Sequence, residues 1–123
     1  MTIEELYEEI DGDYAAAITR LQNEALVGRF IVKFLDDRSC SDTIESWRSG
    51  DDRAAFEAAH TAKGVCANLA ITGLAKLASD ITEALRPGND DVRANTDVDD
   101  LVNRFDVAYR NVSKAIAAFA ENA

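Results

Sequence analysis

With one proline in 123 residues, the chain has almost nothing to interrupt a helix, and that proline, Pro87, falls well past the midpoint. β-Branched residues never gather into alternating runs, which removes the usual signature of a sheet. Cysteine occurs only as Cys40 and Cys66, too few for a disulfide framework. One histidine and two separated cysteines offer no ligand spacing, so no metal is expected on this chain. No apolar run approaches the roughly 20 residues that span a bilayer. The acidic, amphipathic segment 1–10 lacks the features of a signal peptide, and the cytoplasm is the expected location. A net charge of −10 is the wrong sign for phosphate backbones and anionic lipid, so neither nucleic acid nor membrane is expected as a partner. Gly-rich phosphate loops and nucleotide motifs are missing too, which excludes ATP binding and self-phosphorylation as expectations.

What remains is an ordinary globular balance, 47% hydrophobic and 29% charged, in a chain long enough for one domain, residues 1–123, with a real core. An all-α fold follows. Thr2-Ile3-Glu4-Glu5 fits a capping box that starts a short helix through about Ile10. Asp13 can cap a second over Tyr14–Leu21, and Asn23 a third through about Asp36. That third helix carries Leu26, Val27, Phe30, Ile31, Phe34 and Leu35, a wide apolar face that serves either the core or a partner. A turn at 36–39 leads to Ser41, a candidate cap for a helix over 42–49 with Ile44 and Trp47 inward, and Cys40 falls in the loop before it. Pro87-Gly88-Asn89-Asp90-Asp91 is the clearest punctuation, and the segment to Asn95 reads as a mobile acidic loop. Thr96-x-x-Asp99 then opens the last helix, with a seam from Val98 through Phe105 and Val112 to Phe119. The long helices number four, and the economical arrangement is an antiparallel up-down-up-down four-helix bundle with short extra helices at the N-terminus.

The stretch from Asp51 to Ala70 organises the rest. Gly50 closes the preceding helix and Asp51 caps this one. At about 100° per residue, Ala55, Ala59, Ala62, Cys66, Leu69 and Ala70 share one stripe, and His60 stands at its edge. Lys63 and Gly64 lie one turn along on the same side. Imidazole changes charge near neutral pH, so an exposed one is available in its neutral, nucleophilic form. Lys63 brings a positive charge within reach of anything anionic on the ring. Glycine inside a helix costs roughly 0.5–1 kcal/mol relative to alanine, and clearance for another protein's backbone is one reason to accept it. A bend near Thr72-Gly73 or a break near Ala70 would separate this helix from the next, whose face runs through Leu74, Ala78, Ile81 and Leu85.

The run H-T-A-K-G-V-C-A-N-L resembles the phosphohistidine motif of histidine phosphotransfer (HPt) domains, whose core is a His followed by x-x-Lys-Gly. His60, Thr61, Lys63, Gly64, Ala67, Asn68 and Leu69 match the common form. Ala62 departs from the usual leucine and Ala70 from a frequent glycine, and neither change removes a reactive group. G-D-Y-A-A-A-I-T-R-L, before a helical run, also resembles small stand-alone members. The resemblance implies a phosphocarrier and not an enzyme: His60 accepts a phosphoryl group from a receiver-domain aspartyl phosphate and passes it to another receiver. Lys63 would stabilise the phosphate, while Gly64, Phe56, Ala67, Asn68 and the N-terminal helices would form the docking surface. Phe56 fits peripheral core equally, and Asn68 fits a cap on a local bend. No cofactor is implied here, Mg²⁺ being expected on the partner receiver, and a monomer suits a carrier that visits two partners. A self-contained, capped chain ending at Ala123 disfavours a histidine-kinase fragment. The competing reading is a non-catalytic helical adaptor that binds a partner through the Leu26–Leu35 face.

Overall fold

Side-chain oxygens set most of the helix starts. In a computed structural model that describes residues 1–122, α1 (Ile3–Glu9) opens with a capping box. Thr2 Oγ1 accepts from the Glu5 amide at 3.1 Å, and Glu5 Oε1 accepts from the Thr2 amide at 2.8 Å. Asp13 caps α2 (Tyr14–Leu21) and Asn23 caps α3 (Glu24–Lys33), each accepting an amide of the first turn. α3 tightens into a 3-10 turn at Phe34–Asp36. There follow α4 (Ser39–Arg48), α5 (Asp52–Asn68), α6 (Thr72–Leu85), α7 (Asp90–Ala94) and α8 (Val98–Glu121).

Four of these close a ring: α5 packs between α4 and α6, and α8 packs against both α6 and α4. Residues 49–51 and 69–71 are the whole of the first two connections, so α4, α5 and α6 must alternate in direction. Gly50, at φ +83°, makes the first of those turns in a conformation that costs glycine little. α1 and α3 lean on α8 from outside the ring, and α2 packs on α3. The core is filled by Leu74 and Ile81 of α6, by Val102, Phe105 and Ile116 of α8, and by Leu6 and Tyr7 of α1. α5 contributes Ala55, Ala59, Ala62 and Cys66, all fully buried. Those small residues let α4 and α6 come close to the α5 backbone.

Five details differ from the sequence reading. Cys40 lies in the first turn of α4 and is buried, not in a loop. Ser41 is not the cap: Asp37 Oδ1 accepts from both the amide and the hydroxyl of Ser39, and the helix starts three residues earlier than expected. Asp97, one residue after Thr96, caps α8 by accepting from the Asp100 amide at 3.0 Å. Thr96 Oγ1 instead donates to the Val92 carbonyl at 2.7 Å, closing α7. The acidic loop thus holds a helical turn, α7, held down where Arg93 pairs with Asp52 and covers the Trp47 ring. Finally, the apolar face of α3 is divided: Val27, Ile31 and Phe34 are buried, whereas Phe30 and Leu35 are exposed.

Two polar features join the layers. Asp106 on α8 is buried and accepts from Arg48 of α4 at 2.9 Å and from Arg110 at 2.7 and 2.9 Å. At the other end of α5, the α1–α2 junction is stitched to the α5–α6 turn. Tyr7 Oη donates to the Leu69 carbonyl at 2.8 Å, the Asp13 amide to that of Ala70 at 2.8 Å, and the Gly73 amide to that of Asp11 at 3.0 Å.

Candidate functional site

α5 stays helical through its whole central stretch because its buried stripe is alanine and cysteine, while Asp51 accepts from the Ala54 amide in the first turn. That packing fixes which side faces out. Ala59 and Ala62 point inward, and His60 between them is exposed. One turn on, Gly64 is exposed, and a Cβ built there would meet nothing within 4 Å beyond its own turn of helix among the described residues. Close helix packing is therefore not the reason for this glycine.

The imidazole has one aromatic neighbour. Phe56, a turn earlier on α5 and half-buried, lies with its ring centroid 6.1 Å from that of His60 and the planes 23° apart. The Arg86 guanidinium, at the C-terminal end of α6, sits 5.4 Å from the Phe56 centroid. Arg86 is in turn clamped by Glu83, with Nη2 donating to Oε2 at 2.9 Å and Nε to both carboxylate oxygens at 3.2 and 3.3 Å. The Glu83 carboxyl is held below the usual range, first by the Arg86 hydrogen bond and in smaller part by the field of Lys63. Lys63 is half-buried, on the His60 side of α5. A groove of about 440 Å³, lined by Asp52, Arg53, Phe56, Arg86, Asn89 and Arg93, opens beside the stack.

Toward the C-terminal end of the same face, Ala67 and Asn68 are exposed. Arg20 of α2 donates to the Ala67 carbonyl, which ties α2 against this end of α5. Asn68 does not cap the bend. The helix ends instead in a Schellman arrangement, with the Ile71 amide donating to the Cys66 carbonyl at 2.9 Å and the Ala70 amide to that of Ala67 at 3.0 Å. This geometry demands a left-handed residue, and Ala70 supplies it at φ +55°. The break between α5 and α6 therefore falls at Ala70.

Of the sequence-derived candidates, His60, Lys63, Gly64 and Phe56 come together on one patch, and Ala67 and Asn68 extend it toward α2. Arg86, Glu83 and Arg20 were missed by sequence reasoning. Counting equal distances back from a turn at 69–71 would have placed the end of α6 beside Phe56, but the sequence leaves the position of that turn open.

A family model described as the Hpt domain matches residues 3–108 of the 123. The chain belongs to the Hpt domain family. No curated protein and no solved structure matched it. Hpt domains are phosphocarrier modules of phosphorelay signalling, in which they interact with receiver domains. The all-helical bundle described above is consistent with that membership. Among the described residues, no helix is long and apolar enough to cross a membrane.

Proposed function

We propose that His60 is the phosphoryl acceptor, taking the group from the aspartyl phosphate of one receiver domain and handing it to the carboxylate of another. Neutral imidazole attacks phosphorus through Nε2, the nitrogen at the tip of the ring. The new N–P bond forms as the acyl-phosphate P–O bond breaks, and the electron pair leaves with the aspartate. Charge on the three equatorial oxygens grows during transfer, so positioning and electrostatics supply most of the catalysis. Lys63 offsets that charge from the carrier's side. Mg²⁺ and the remaining stabilisers belong to the receiver, and the chain needs no cofactor of its own.

The observation that carries this reading is the open ground at Gly64 beside an exposed imidazole. A receiver must bring its acidic pocket over the ring, and a side chain one turn away would stand in its path. Phe56, Ala67 and Asn68 would frame the docking surface, with α2 extending it. The carrier would work as a monomer in the cytoplasm. The test is to mix the chain with a phosphorylated receiver and look for acid-labile, base-stable phosphate. Labelling that survives His60→Gln would exclude His60 as acceptor.

The adaptor reading keeps one specific feature, the exposure of Phe30 and Leu35 on α3, at 41% and 36%. It requires partner binding that is indifferent to His60 substitution and sensitive to Phe30→Ser.

A further inference from the structure

A phosphoryl group on His60 would arrive as a dianion with only the Phe56 ring linking it to an arginine that is already engaged. Arg86 reaches the histidine's neighbourhood across the Phe56 ring, 5.4 Å from its centroid, and Phe56 is the ring stacked on His60. Yet three of its hydrogen-bond contacts go to the Glu83 carboxylate. Asn89 secures that carboxylate's residue from the next loop, its Nδ2 donating to the Glu83 carbonyl at 3.0 Å and reaching Oε1 at 3.5 Å. Lys63, by contrast, forms no ion pair among the described residues.

We propose that Glu83 is a built-in competitor of the phosphoryl group: its carboxylate withholds Arg86 from phospho-His60 and so keeps the chain a ready donor and a poor store. The inference rests on the reading of His60 as acceptor. Its physics is an exchange of anions. Fork-shaped guanidinium binds carboxylate and phosphate by the same pair of N–H bonds, so one anion is bound at the expense of the other. That exchange raises the free energy of the phosphorylated form relative to the free imidazole. When phosphate leaves, the N–P bond breaks, its electron pair returns to the ring nitrogen, and phosphorus passes to water or to a receiver carboxylate. Arg86 then returns to Glu83. Glu83 touches neither the ring nor the phosphate in this scheme and is a positioning residue.

The experiment loads the full chain with phosphoramidate, a small donor that needs no partner protein, and follows the decay of phosphohistidine in the wild type, Glu83→Gln, Arg86→Gln and the double variant. Glu83→Gln should lengthen the half-life roughly three- to ten-fold, the change expected from freeing one partly solvated charge from its ion pair. Adding Arg86→Gln should remove that gain. Circular dichroism of each variant checks the bundle; a purely structural Glu83 would lower thermal stability and leave the half-life alone. A loaded wild type whose half-life equals that of Glu83→Gln overturns the competition alone, as does a gain that persists without Arg86. A wild-type chain that takes no phosphate on His60 overturns the parent reading, and this one with it.

Discussion

Phe56 stacks on His60 with ring centroids 6.1 Å apart and planes 23° from parallel, both side chains rising from successive turns of α5. The contact joins the half-buried end of the site to its exposed end. An imidazole on an open helix face otherwise has several rotamers of similar energy. Against the phenyl ring one orientation is favoured.

Phe56→Ala should therefore slow phosphoryl transfer to and from His60 by about three- to ten-fold, the rate equivalent of one aromatic pair. Single-turnover transfer with a phosphorylated receiver measures this. A rate equal to wild type would mean the stack does not orient the ring.

Gly64 separates stability from function. A Cβ at this position would meet nothing within 4 Å beyond its own turn of helix among the described residues, so Gly64→Ala should stabilise the chain by about 0.5–1 kcal/mol through helix propensity. Thermal unfolding should shift upward by a few degrees. Gly64→Leu should leave the fold intact and reduce transfer more than about ten-fold, because a displacement of an ångström between reacting groups costs that much or more. Unchanged transfer in the leucine variant would refute the clearance argument.

Asp106 should make the bundle acid-sensitive. Its carboxyl is held below the ordinary range by the Arg110 hydrogen bond first, with burial opposing and Arg48 adding to the effect. A depressed carboxyl contributes stability that is present above its unfolded pKa, about 3.9, and disappears as pH falls through the lower folded value. Asp106→Asn should cost about 1.5–3 kcal/mol at pH 7, the range for hydrogen bonds to charged groups. The gap from wild type should narrow below pH 4, as read from urea midpoints at both pH values. A gap independent of pH would assign the loss to packing.

Tyr7 governs the alkaline side. Burial pushes its phenol up to about 12, and its hydroxyl donates to Leu69 at the α5–α6 turn. A raised pKa gives stability that is complete below the unfolded value, about 10, and lost as pH climbs toward the folded one. Tyr7→Phe should cost about 0.5–1.5 kcal/mol at pH 7 and remove part of the alkaline loss between pH 10 and 12. Denaturant titrations across that interval check both.

Much of the architecture was legible because local chemistry decides it. Thr2, Asp13, Asn23 and Asp51 each act as the cap their position suggests, since an N-cap needs only its own side chain and an amide two or three residues on. The errors were also local. Ser41 and Thr96 are sound capping residues that lost to Asp37, four residues upstream, and to Asp97, the next residue, and propensity does not rank competitors this near. The acidic segment after Pro87 reads as a loop by composition. Its helical turn is held by Arg93 on Trp47 and Asp52, contacts more than 40 residues away in sequence.

For the candidate site, periodicity alone decided that His60, Lys63 and Gly64 share the exposed side of one helix, because 3.6 residues per turn leaves no other arrangement. Only the folded bundle decided what stands around them. The left-handed turn at Ala70 folds α6 back along α5 and carries Arg86, with its Glu83 partner, onto the Phe56 ring. That juxtaposition depends on where one turn falls and how far two antiparallel helices run alongside each other, and a linear pattern does not encode either distance.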